Sequence, residues 1–246
     1  MYTFDHEVTE QTPALTDYRY IGNEPYNYVK FNGDEIWRII GVFDTEDGNN
    51  KWDRRIKLIR DDSIENITWN STNENEWVGS TIQLYFNEEF GIDSYSNKMI
   101  DSVKNYLGGV IAYPNGEDFY QAERSKLVYN ERNTSWVGKI SLPYVSDYIL
   151  TYSFGIDTIC YNTPTNCKTN TGANPSSGWL YSGLIKWTID LFNNDSNRIY
   201  MISANGHIYY VASNFSYNGT PTLYLKPDVK IKSGDGSIDS PYEFEL

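Results

Sequence analysis

Two Asn-Gly dipeptides near opposite ends of the chain, Asn32-Gly33 and Asn205-Gly206, each separate two runs of β-type residues. Both residue types tolerate positive φ, so each dipeptide predicts a tight hairpin between antiparallel strands. Around the first lie "YNYVKF" (26–31) and "IWRIIGVF" (36–43); beyond "DTEDGNNKWD" comes "RIKLIRD" (55–61), and the three runs predict an antiparallel meander. The acidic connection lacks the alternating ligand order and terminal Glu of an EF-hand, so it reads as a solvated hairpin loop. The second dipeptide divides "RIYMISANGHIYYVASN", and strands are predicted again through Leu223–Leu225 and near Val229–Ile231. Strands at both ends with helical patterns between them predict one α+β domain.

The helical patterns lie in the first half. In "STIQLYFNEEF", Ser80 can cap a helix whose stripe is Ile82, Phe86 and Phe90, with Tyr85 beside them. A second helix is predicted from about Ser96 to Leu107, with Met99, Ile100, Val103 and Leu107 on one face and Gly108-Gly109 as its stop. The region 112–190 offers β-like pieces, "KISLPYV" and "YILTYSF", in polar connections, and 161–178 is nearly all Asn, Thr, Pro, Gly and Ser. Loops of that length tend to be functional or mobile. Residues 1–20 read as a polar lead that follows a removed signal or anchor, and 21–246 as the single domain.

Charge and composition narrow the function classes. The chain carries 33 acidic against 20 basic residues, a formal charge of -13, which repels a phosphate backbone and speaks against a nucleic-acid partner. No run approaches the roughly 18 apolar residues of a spanning helix, so direct membrane insertion of this segment is not expected. Twenty-two Tyr and seven Trp suit pleated surfaces and loops. The only two cysteines, Cys160 and Cys167 in "CYNTPTNC", predict a local disulfide worth about 2 kcal/mol and an extracellular setting; two free thiols are the alternative. Neither metal nor cofactor is expected, because two Cys with the scattered His6 and His207 do not complete a zinc site. Enzyme chemistry is not expected either. His6 falls in the lead, His207 sits beside a hairpin glycine, and the carboxylate pairs Asp61-Asp62 and Glu88-Glu89 read as solvated faces.

Four ordered motifs, "YVKFNGDEIWRIIGVF", "GKISLPYVSDY", "WLYSGLIKWTI" and "LYLKPDVKIKSGDGSIDSPY", resemble an uncharacterised surface-protein domain family of low-GC Gram-positive, often gut-resident, bacteria. The resemblance covers nearly everything from about residue 20 onward. Members of that family look like distant relatives of the C-type-lectin-like group, which includes formylglycine-generating-enzyme-like domains. What the resemblance implies is a twisted antiparallel sheet joining both chain ends, two helices and a long irregular loop region that presents the ligand surface. "NEPY" and "YPNGED" only brush against the calcium motifs of sugar-binding lectins, and no Trp-Asn-Asp occurs, so calcium-dependent sugar recognition is not implied.

The expected function is an extracellular, surface-anchored, adhesin-like binding module for a host protein, such as an immunoglobulin or mucin, or for a glycan. Tyr161, Asn162, Asn166, Trp179 and Tyr181 are its candidate ligand-binding residues, because Tyr and Trp give contact area at low entropic cost and amides hydrogen-bond sugars and peptides. Trp179 and Trp187 also read as core residues. A formylglycine-generating-enzyme-like oxidoreductase using the cysteine pair, or a structural stalk domain without ligand, are the alternatives. The closing "KIKSGDGSIDSPYEFEL" reads as a glycine turn before a last short strand, since Asp235 and Asp239 leave calcium several ligands short.

Overall fold

"IWRIIGVF" is apolar on both parities, which is what a strand buried on both faces requires. In the computed structural model it forms the middle of the longest strand, Glu35–Glu46. The structure describes residues 1–89, 98–110, 116–151, 158–161, 166–169 and 178–246, with the backbone alone for 117, 158–161 and 166–169. Glu35–Glu46 pairs with Trp52–Arg60, and an eight-stranded sheet follows in the order Tyr2–His6, Leu15–Arg19, Glu35–Glu46, Trp52–Arg60, Thr222–Leu225, Ile140–Ser141. Tyr28–Phe31 adds to the long strand, and Ile100–Asp101 adds to Thr222–Leu225. A five-stranded sheet takes Ile208–Ala212, Arg198–Ile202, Lys186–Leu191, Ser216–Gly219 and Ile64–Thr68 in that order.

Alternation distributes the apolar residues to two cores. Ile39, Leu58, Leu223 and Leu225 join Trp37, Trp69, Trp77 and Trp187 on one face of the large sheet. Ile40, Ile59 and Tyr224 join Phe43, Phe119, Tyr120 and Trp179 on the other. Strands dominate, and among the described residues three short α-helices complete an α+β fold: Thr81–Leu84, Gly116–Ala122 and Val145–Ile149. Among the described residues no helix is long and apolar enough to cross a membrane.

Both Asn-Gly hairpins are present. Asn32 and Gly33 have φ of 55° and 84° between Tyr28–Phe31 and the long strand, and Gly206 has φ of 81° between Arg198–Ile202 and Ile208–Ala212. The acidic loop is a tight connection in which Asp47 Oδ1 accepts from the Asn49 and Lys51 amides. Ser80 Oγ caps the first helix by accepting from the Gln83 amide, and that helix runs on as a π-helical turn, Tyr85–Glu89. Phe90 lies outside the described residues. The C-terminal turn carries Gly234 and Gly236 at φ of 89° and 82°, and Asp235 Oδ1 accepts from the Ser237 amide, so the stretch serves closure of the fold. The Tyr28 amide donates to Gly236 O and the Tyr242 amide to Tyr28 O, tying this turn to the first hairpin.

Two expectations fail. The helix predicted over 96–107 is replaced, in its described part, by the strands Ile100–Asp101 and Val103–Tyr106. Their pairing with Thr222–Leu225 and Ser135–Gly138 carries Ile100, Val103 and Leu107 into the cores, and non-local partners override helical spacing. Gly108 is not a helix stop: a Cβ there would meet Ala122 O at 2.2 Å, so the residue permits a close backbone approach. The stretch 1–20, read as a lead, holds the strands Tyr2–His6 and Leu15–Arg19, and His6 is buried. The alternating burial of "LTDYR" explains it, because two of its three inward residues, Asp17 and Arg19, are charged and only Leu15 is apolar, which hides the alternation.

Candidate functional site

A cleft of about 360 Å³ opens where three parts of the chain meet. The segment after Leu15–Arg19 supplies Asn23 and Glu24; the two central strands supply Arg38, Ile59 and Arg60, with Asp61 just beyond the second; and Gly178–Ser182 with Lys186 closes the far wall. Its volume lies near the lower end of small-ligand clefts, about 300–1,000 Å³.

Arg38 is the organising group. Its Nε donates to Asn27 Oδ1 at 2.9 Å and its Nη2 contacts Glu24 Oε1 at 3.3 Å, while Asn27 Nδ2 donates back to Ile39 O. The guanidinium lies 4.0 Å from the Tyr28 ring centroid and 4.6 Å from that of Trp179, a sandwich that suits a planar cation. Burial pulls the Arg38 pKa down from its ordinary value, with Tyr28 and Glu24 opposing.

The far wall is fixed by backbone and indole bonds. Trp179 Nε1 donates to Tyr20 O at 2.9 Å, the Trp179 amide donates to Gly22 O, and Tyr181 Oη donates to Ala204 O at 2.8 Å. Trp179 is 6% exposed, so it serves the core and shows the cleft only part of its ring. Tyr181 is half-buried and Ser182 exposed at the rim. Lys186 opens the strand Lys186–Leu191 and is 7% exposed. Burial draws its pKa down to about 8 against the pull of Asp61 and Asp62.

Of the residues expected to bind ligand, the structure brings Trp179 and Tyr181 to this cleft. The backbones of Tyr161 and Asn166 face each other in the two-stranded pairing of Thr158–Tyr161 with Asn166–Thr169, where Cys160 and Cys167 are also partners. Their side chains, and Asn162 entirely, lie outside the described residues. Trp187 is fully buried, with Nε1 donating to Ile67 O. Arg38, Asp61 and Lys186 escape sequence reading, because a charge within or beside a strand ordinarily faces solvent. The one available signal is that Arg38 and Lys186 interrupt apolar runs, "IWRII" and "LIKWTI".

A second polar cluster lies inside the molecule. Asp147, the third residue of the helix Val145–Ile149, accepts from Arg19 Nη1 at 2.9 Å, from the Tyr144 amide at 3.0 Å and from Lys57 Nζ. Arg19 also reaches Asp17 Oδ2 at 3.0 Å, and the same oxygen pairs with His6 Nε2 at 2.7 Å and accepts from Tyr120 Oη. Glu123 accepts from Ser146 Oγ at 2.7 Å and lies against Arg124, while Asp190 Oδ2 accepts from the Val145 amide. Asp17, Arg19, Lys57, Glu123, Asp147 and Asp190 are each no more than 2% exposed, so a substrate reaches none of them without opening the fold. This cluster orders the core.

Comparisons of the chain with family models, with curated proteins and with solved structures return no match.

Proposed function

We propose that this chain is an extracellular, surface-anchored binding module of the C-type-lectin-like kind, recognising a host or environmental glycoprotein, protein or glycan. The observation that carries the reading is the polar cleft bounded by Trp179 and Tyr181, with Arg38 held rigidly at its base. Such a site meets the requirements of recognition: fixed walls, an aromatic edge and several side chains free to hydrogen-bond at the rim. Its wall at Gly178–Ser182 continues directly in sequence from the Asn/Thr/Pro/Gly/Ser-rich stretch 161–178.

The test is a panel of glycans, mucins and immunoglobulins applied to the intact chain, to Tyr181→Ala and to Asn23→Ala. Tyr181→Ala is expected to weaken the binding of any hit by about tenfold, a loss typical of a half-buried aromatic contact. Hits that bind both variants as tightly as the parent would remove the cleft from the reading, and a panel without hits would favour a stalk domain.

A further inference from the structure

The ammonium group of Lys186 is the uncommitted charge of the cleft. Among the described residues it makes no hydrogen bond and no ion pair within 4.0 Å, although 93% of the residue's surface is covered. Arg38 is committed to Asn27, Glu24 and two rings, and Arg60 is paired with Glu35 at 3.7 Å. A cation buried to this degree loses most of its hydration, and the loss is offset only when an anion takes the place of water.

We infer that the cleft seats the carboxylate of an acidic sugar, with Lys186 as the residue that binds it; this inference rests on the binding reading above. Three cations, Arg38, Arg60 and Lys186, line the cleft; Arg38 and Arg60 are paired with Glu24 and Glu35, which leaves Lys186 as the cation available to an anionic ligand in a protein whose overall charge is -13. A buried cation in a polar cleft of an acidic protein favours an anion locally while the rest of the surface repels it. Asp61 decides the kind of anion. Its carboxylate also has no hydrogen-bond partner among the described residues, and it shares the cleft with Lys186. A doubly charged phosphate beside Asp61 is repelled, whereas a singly charged carboxylate on a polyol places its charge on Lys186 and its hydroxyls on Asp61. Asn23 and Ser182 at the rim add neutral donors and acceptors. The charged groups acting on Lys186 from the neighbouring elements are Asp61 and Asp62 from the end of Trp52–Arg60, and both favour its protonated form.

Titration calorimetry of the full chain tests this with the methyl glycosides of glucuronic acid and N-acetylneuraminic acid, the neutral methyl esters of both, and inorganic phosphate. The free acids are expected to bind about tenfold more tightly than the esters, and Lys186→Met to abolish that preference. Lys186→Met is expected to melt no lower than the parent, since it removes a buried charge without a partner. Affinity for the acids should fall between about pH 7 and about pH 9, as the free protein's Lys186 loses its proton. Esters that bind as well as acids, an unchanged Lys186→Met, or phosphate outcompeting both sugars would overturn the carboxylate seat. In those cases binding itself survives as a reading; it fails separately if neither these sugars nor the panel of glycans and proteins binds.

Discussion

Asp147 bridges two buried cations, Arg19 and Lys57, and that makes it the most consequential single side chain in the core. Lys57 and Arg19 press the Asp147 carboxyl below its ordinary pKa against the opposing effect of burial, so it stays ionised. Glu123 and Asp190 lie beside each other, and burial raises the pKa of both. Arg19, Lys57 and Arg124 lie against the carboxyl groups of Asp17, Asp147 and Glu123. Removing the central member of a buried charge network leaves uncompensated charge. Asp147→Asn is therefore expected to cost about 3–5 kcal/mol in urea unfolding. Lys57→Met should cost clearly less, because Arg19 still faces Asp147. Equal losses would mean that Asp147 does not bridge the two cations.

At the scale of elements, the antiparallel pairing of Thr158–Tyr161 with Asn166–Thr169 carries a testable consequence. Cys160 and Cys167 are opposed partners in its antiparallel register. Opposed residues in such ladders have Cα atoms about 4.5–5.5 Å apart, inside the range a disulfide spans. A bond between these two cysteines is thus expected to resist alkylation in the native protein and to label only after reduction, as peptide mapping will read. Full labelling without reductant would leave two free thiols and would reopen the redox alternative. The same scale shows where local pattern is sufficient. Asn32-Gly33, Asn205-Gly206, Ser80 and the Gly234–Gly236 turn are legible because their chemistry is local: positive φ, a side-chain cap, an Asp accepting from a nearby amide. Ile100–Asp101 and Val103–Tyr106 are not legible, since their partners lie about 30 and 120 residues away.

For the whole molecule, stability against pH reports the buried groups together. His6 is neutral in the folded state, its pKa drawn from 6.5 to about 3 by burial first and then by Arg124. Its contribution is in place above pH 6.5 and is lost as pH falls through about 3. Asp190 has the opposite sign. Burial raises its pKa from 3.8 to about 7, so its contribution is present below 3.8 and is lost as pH rises through about 7. The two slopes oppose each other between these limits, and variants separate them. Asp190→Asn is expected to gain stability relative to the parent as pH rises from about 4 to about 8, and His6→Gln to gain as pH falls from about 6.5 to about 3. Parallel melting curves for the variants and the parent across that span would exclude both assignments.

By itself the sequence determined that the chain is an α+β protein with strands from both ends in one sheet, where the hairpins turn, and that the C-terminal glycines form a turn before a last short strand. These follow from residue types acting on their immediate neighbours. Only the tertiary structure decided that Leu15–Arg19 is a strand and that Lys57, Glu123, Asp147 and Asp190 meet in one buried cluster. It alone placed Arg38, Asp61, Trp179 and Lys186 around one cleft. Charges on strands face water unless a second layer covers them, and whether it does depends on segments more than a hundred residues apart. The cleft belongs to that class of fact, because Arg38 and Lys186 acquire their chemistry from what packs over them.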